Sequence, residues 1–438
     1  MSATLSPEKK RSQSLQVPPS AGAGMRVTAL NRKPVQRFPL KVVNFVGAGL
    51  RTLGFDVANL DPDRLCKEAC KTTRLHDFGG NEFLEPLQKF VEAVKAAPPM
   101  HAFGRLAVRQ TLLHALSNRL LLQDYWCKHP EALSVPVRRP LFIIGSPRTG
   151  TTLLFNLLAQ DPAHRPLMNW EANTPAPSTR KRRPEDDYKY AAQIDGQLHY
   201  YLPELRRKHD CGPNDPEECS ILFLNSFESE ILYYCYDVPK YRLWLNTWDR
   251  TESYRYYQKQ LQVLQHQRPG TRWLLKSTSH IFSLSALLTV FPDACVIQTH
   301  RDPLKALSSS CSLEATFRDL CYSIFDCARM AEEAAEQLSL GLTSCRLDRS
   351  RFPAHQFYDS YYSELVRNPI QIVKAIYRKF DFELSQDTLD RMTKFLAANP
   401  QHKHGVHRYR LEDFGLNRDR ERLRFADYVS AFQIPEES

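Results

Sequence analysis

No stretch of about 20 apolar residues occurs in the 438-residue chain, so the sequence offers no helix long enough to cross a bilayer. Its first residues, MSATLSPEKKRSQSLQVPPSAGAG, lack the apolar core of a secretory signal. Cysteine occurs 11 times without a set of metal ligands. Cys66 and Cys70 can share a helix face, but no second pair or histidine cluster completes a zinc site with them. Scattered thiols suit a reducing compartment. The expected setting is therefore cytoplasmic, with membrane association left open. Internal repeats are absent too, which sets aside solenoid and propeller architectures.

The apolar and aromatic content, 42% and 11%, is enough for a sizeable core. The length accommodates one large domain with additions, or two domains. A net charge of +10 suits an anionic partner: a nucleotide, a sulfated or phosphorylated ligand, a membrane surface or nucleic acid. Charge alone equally fits a soluble protein that is merely basic.

Residues 1–36, rich in Ser, Pro, Lys and Arg, read as a disordered basic tail. The next stretch, FPLKVVNFVGAGLRTLGF (38–55), is broken by Pro, Lys, Arg and Gly. It either makes peripheral membrane contact as a basic amphipathic segment or packs on the domain. An N-terminal helical region packed on the core is expected over 37–137. Asp61 and Pro62 form a helix start, and Leu106, Leu113, Leu116 and Leu120 form a helical stripe. From 138 to 435 strand and helix signals alternate. The strands are LFII (141–144), RWLLKS (272–277), ACVIQTH (294–300) and, more weakly, HQFYDSYY (355–362). Two of the intervening helices carry apolar faces, Ile281, Leu284, Leu288 and Phe291 in one and Ile372, Val373, Ile376 and Phe380 in the other. This alternation predicts an α/β fold with a P-loop-like parallel sheet flanked by helices. A long, mostly helical insertion is expected at about 165–270. Its Tyr233, Tyr234, Trp244 and Trp248 either line a cleft or fill the core.

The most informative segment is RPLFIIGSPRTGTTLLFNLLAQDP (139–162). Gly145, four residues, then Gly150-Thr151-Thr152 is the spacing of a phosphate-binding loop, with threonine where lysine is usual. The two glycines permit a tight turn and close backbone approach. The following helix presents free N–H groups and its positive dipole end, and Thr149, Thr151 and Thr152 add hydroxyls. In triphosphate enzymes the lysine works beside magnesium on the β/γ-phosphates. Here Arg148 precedes the second glycine, and no clear acidic metal-binding strand is present, so a smaller anion without a metal is expected. The alternative is an ordinary glycine-rich strand-to-helix turn.

GSPRTGTTLL resembles the 5′-phosphosulfate loop of sulfotransferases that use 3′-phosphoadenosine 5′-phosphosulfate (PAPS). It is most similar to the branch reading PRTGTT or PRSGTT, an arginine form shared by protein-tyrosine and bacterial-type enzymes. The resemblance implies donor contacts from Ser146, Arg148, Thr149, Gly150, Thr151 and Thr152. For the 3′-phosphate the family uses an arginine with a serine eight residues on, and THRDPLKALSSSCSL supplies Arg301 and Ser309. A guanidinium suits that task through its planar fork. WLLKSTSH matches a family strand ending in Lys-Ser, which implies Lys276 as a second catalytic cation and His280 nearby; Thr278 stands where proline is usual. MNWEANTPAP places Glu171 where the protein-tyrosine enzymes have their base. YYSELVRNP implies Tyr362 beside the adenine. GPNDPEECSILFLNSF also matches, but Glu217 and Glu218 are explained by a helix start. In HKHGVHRYRLEDFGL, Lys403 and His404 are either anion contacts or an exposed basic loop.

The implied reaction moves a sulfuryl group from PAPS to a hydroxyl, or an amine, of an unidentified glycan, lipid or phenol, leaving adenosine 3′,5′-bisphosphate. Arg148 and Lys276 would balance charge, Glu171 or else His280 would act as base, and no metal is called for. The rivals are a P-loop nucleotide kinase and a non-catalytic, anion-binding relative. A nucleic-acid partner is not expected, because basic runs such as RKRRPEDDYK (180–189) also contain acids. Oligomeric state is not legible.

Overall fold

The computed structural model describes residues 38–54, 58–176, 184–205, 212–399 and 410–437. The tail 1–36, Lys403, His404 and part of the 180–189 run lie outside the described residues.

A five-stranded, wholly parallel sheet organises the chain, in the order β2-β3-β1-β4-β5. The strands are β1 (Leu141–Gly145), β2 (His164–Pro166), β3 (Arg272–Lys276), β4 (Cys295–His300) and β5 (Phe357–Tyr361). Strands buried on both faces need unbroken apolar runs, and β1 is buried at every position. Phe142 and Ile144 enter one core with Trp273, Leu275 and Val296. Leu141 and Ile143 enter the opposite core with Leu274, Ile297 and the helix Pro369–Phe380. Each such side chain contributes about 1.5–3 kcal/mol on burial. β2 was not expected. It is three residues, His-Arg-Pro, held as a strand by pairing with β3.

The N-terminal helices are α1 (Phe38–Thr52), α2 (Pro62–Thr73), α3 (Leu84–Ala96) and α4 (Ala102–Lys128). Asp61 caps α2, its carboxylate accepting from the Arg64 N–H at 3.0 Å, with Pro62 in the first turn. The inward stripe of α4 differs from the expected one: Val108, Leu112, Leu116 and Leu120 are buried, while Leu106 is exposed. The cause is the partner. The helices α2, α3 and α4 share one core with Phe227, Leu232, Tyr236 and Tyr241 of the insertion and with Tyr322. Within the insertion, Tyr233 and Tyr234 stack on each other, as do Trp244 and Trp248 at 4.7 Å between centroids, tilted by 35°.

Candidate active site

The chain runs from β1 to β2 and β3 on one side, then crosses to β4 on the other. In parallel sheets that reversal opens a crevice at the carboxyl ends of the strands, and the loop Ser146–Gly150 lies there, between β1 and α5 (Thr151–Leu158). Gly145 has φ 141°, and a Cβ on it would stand 2.6 Å from the Thr299 carbonyl of β4. Gly150 has φ 88°, and a Cβ there would approach the Tyr362 ring to 3.1 Å. Arg148 itself takes a left-handed φ of 67° and is exposed.

Thr149 departs from its expected use. Its fully buried hydroxyl lies 2.8 Å from the Ser146 carbonyl and 2.5 Å from the Thr299 hydroxyl, which reaches the Ile144 carbonyl at 3.1 Å. It stitches the loop to β4 rather than facing a ligand. Ser146 and Thr151 are buried beside it, and Thr152 is exposed in the first turn of α5. The first N–H groups of α5 have no acceptor within the helix, so they and the positive dipole end are available to an anion.

Arg301 follows β4 directly. Its guanidinium donates to the Arg148 carbonyl at 3.0 Å and lies 3.9 Å from the centre of the Tyr362 ring. Arg148, Gly150, Arg301 and Tyr362 therefore form one cluster. The remaining donors of Arg301 grip the Glu437 carboxylate as a fork, Nε to Oε1 at 3.0 Å and Nη2 to Oε2 at 2.8 Å. A planar anion thus already sits on this guanidinium. Ser309 is half-buried in the second turn of the helix Pro303–Cys321, which begins beside Arg301 and is capped by Asp302.

Lys276 ends β3. It is 2% exposed, and its ammonium donates to Glu218 at 2.6 Å. A buried ammonium needs such a partner. Glu218 keeps a solvent-facing edge, with its side chain 22% exposed. The helix-start explanation of Glu218 missed this contact; only knowledge that residue 218 folds against β3 would have revealed it.

The profile of the Sulfotransferase family matches residues 140–386, over half of the chain. The chain belongs to the sulfotransferase family. Sulfotransferase STF9 from Mycobacterium avium superposes with a TM-score of 0.80 at 32% identity, covering 88% of this chain and 99% of that one. STF1 from Mycobacterium tuberculosis H37Rv gives 0.73 at 33% identity, with 84% and 98% covered. Omega-hydroxy-beta-dihydromenaquinone-9 sulfotransferase Stf3 of Mycobacterium bovis is 24% identical over 331 residues, 69% of this chain and 78% of its own length.

Two residues expected as bases in this sulfotransferase are held in other work. Glu171, in the short helix α6 (Asn169–Asn173), is 1% exposed. It accepts from Arg165 at 2.8 Å, from Arg268 at 3.0 and 2.9 Å, and from the Met168 N–H at 3.1 Å. Both oxygens are engaged inside the protein, which fits a buried structural ion pair and not a base that receives an acceptor's proton. His280 is fully buried, 2.7 Å from the Tyr254 hydroxyl and edge-on to Phe142. Burial, assisted by the Arg250 charge, pulls its pKa down to about 3. Such an imidazole is neutral but too weak a base for work near neutrality.

Beside Pro147 of the loop lies a narrow cavity of about 30 Å³, lined by Tyr233, Tyr234, Thr278, Ser310 and Gln337 among others. It brings two of the four expected aromatics to the site. Trp244 and Trp248 are not in its walls.

Proposed function

We propose that this sulfotransferase moves a sulfuryl group from PAPS to a hydroxyl on an apolar, lipid-like acceptor. The observation that carries the donor assignment is the bond from Arg301 to the Arg148 carbonyl, which sets a guanidinium fork against the glycine-rich loop. The residues fit the donor. Gly145 and Gly150 clear space for close backbone approach, the start of α5 receives the sulfonated end, and Arg301 with Ser309 receives the 3′-phosphate in place of Glu437. Tyr362 supplies an adenine-facing ring.

In the reaction a bond forms between sulfur and the acceptor oxygen, the bond to the phosphosulfate bridge oxygen breaks, and the acceptor proton goes to the enzyme. We assign that proton to Glu218, the partly exposed carboxylate beside Lys276. Arg148 and Lys276 oppose the developing charge; a cation about 4 Å away is worth roughly 4 kcal/mol at an effective dielectric near 20. The acceptor class is supported by the menaquinone-type acceptor in the name of the Stf3 relative.

Calorimetry with adenosine 3′,5′-bisphosphate tests the donor assignment. The wild type is expected to bind, and Arg301→Ala to lose at least about tenfold in affinity. A wild type indifferent to this nucleotide would remove the reading. Transfer from radiolabelled PAPS, compared across hydroxylated prenylquinones, phenols and glycans, tests the acceptor class.

A further inference from the structure

We propose that α1 is a docking surface for an anionic lipid membrane, independent of the transfer chemistry. Its position is fixed from one side only. Leu40 and Gly47 are buried, Gly47 lies tight against Ala102, and Asn44 accepts from the Phe103 N–H at 3.0 Å. At 100° per residue, the opposite face carries Phe38, Val42, Phe45 and Val46, with Leu53 just beyond the helix end. These are exposed, Phe45 to 81% and Phe38 to 78%. Apolar side chains thus occupy the side of the helix that no described element covers. Isolated exposed apolar residues are ordinary; a contiguous stripe on one helix is a binding surface.

Charge identifies the occupant. From Lys9 to Phe55 the sequence holds nine lysines and arginines and no acidic residue. Removing these nine from the 59 basic residues leaves 50 against 49 acids, so the net positive charge of the protein is carried by the segment of sequence that leads into and forms α1. Within the helix, Lys41 is exposed beside the apolar stripe, while Arg51 is exposed on the docked side. Behind the helix, a cavity of about 500 Å³ is lined by Arg51, His101 and Arg105 with no acidic side chain in its walls. An apolar stripe bordered by cations is the pattern of a helix lying in the membrane interface, where each nearby cation adds to attraction by anionic headgroups.

The full chain would be sedimented with vesicles of phosphatidylcholine alone and of phosphatidylcholine with phosphatidylserine. The wild type is expected to bind the anionic vesicles and to release them as salt is raised. The double variant Phe38→Ser/Phe45→Ser, and separately Lys41→Glu, are expected to bind at least about tenfold more weakly, with thermal melting unchanged because none of the three side chains is buried. Equal partitioning of wild type and variants would overturn the proposal, as would absence of wild-type binding. So would a wild-type dimer that Phe38→Ser/Phe45→Ser dissociates, since the stripe would then belong to a second copy. None of these readouts depends on PAPS, so failure here is distinct from failure of the proposed reaction.

Discussion

Two glutamates beside cations lie in opposite surroundings, and the proposed reaction gives them different roles for that reason. Glu171 is sealed and faces the buried Arg165, with Arg268 closing the outer side. Glu218 pairs with the buried Lys276 and stays partly exposed. Glu171→Gln removes the charge that neutralises Arg165, and breaking a buried pair in this way costs about 3–5 kcal/mol. The Arg268 arm adds little, because that side chain is largely exposed. The expected result is a clear fall in melting temperature, with turnover per folded molecule preserved. Glu218→Gln leaves Lys276 an acceptor but removes the proton affinity. It is expected to lower kcat by about 10²–10⁴-fold, with adenosine 3′,5′-bisphosphate affinity nearly unchanged. Measuring kcat and melting temperature for both variants checks the division; a slow, stable Glu171→Gln beside a fully active Glu218→Gln would reverse it.

Among the elements, the loop depends most directly on its sequence. Gly145→Ala would place a methyl group 2.6 Å from the Thr299 carbonyl, on a backbone whose φ of 141° L-residues rarely adopt. The β1–β4 pairing at this position must open, and the Thr149–Thr299 link opens with it. Nucleotide affinity is expected to fall at least about tenfold, alongside a loss of stability; calorimetry and thermal melting read both. This element was legible because its determinants are local: an apolar strand, two glycines and a leucine-rich helix within about twenty residues. The four long strands were legible for the same reason. β2 was not, since its three residues are a strand only through β3. The face of α4 was misread because leucines lie on several of its sides, and packing against the insertion selects among them. Site contacts divide in the same way. Ser146–Thr152 follow from chain order, whereas Lys276 meets Glu218 across 58 residues and Arg268 meets Glu171 across 97, separations on which helix and strand periodicity are silent.

At the scale of the whole molecule, the last residues return to the cluster of Arg301 and the glycine-rich loop. His300, at the end of β4, bonds Tyr428 at 2.8 Å, and Tyr361, at the end of β5, donates to the Phe432 carbonyl at 3.1 Å. These contacts hold the C-terminal helices against the carboxyl edge of the sheet. Arg422 bridges Asp302 and Glu436, and Glu437 closes on Arg301 across 136 residues. In the proposed reaction a 3′-phosphate needs the same fork, so nucleotide and Glu437 would compete for one guanidinium. The Arg301–Glu437 pair is part-exposed, and such pairs are worth about 0–1 kcal/mol. Its displacement is therefore a small tax on binding. Glu437→Gln is expected to tighten adenosine 3′,5′-bisphosphate by roughly 2–5-fold at low salt. The gain should shrink as salt rises, because screening already weakens the competitor. Calorimetry across ionic strength checks both the sign and the trend. Weaker binding by Glu437→Gln would instead make the tail a wall of the pocket, shaping it for the ligand rather than occupying its place.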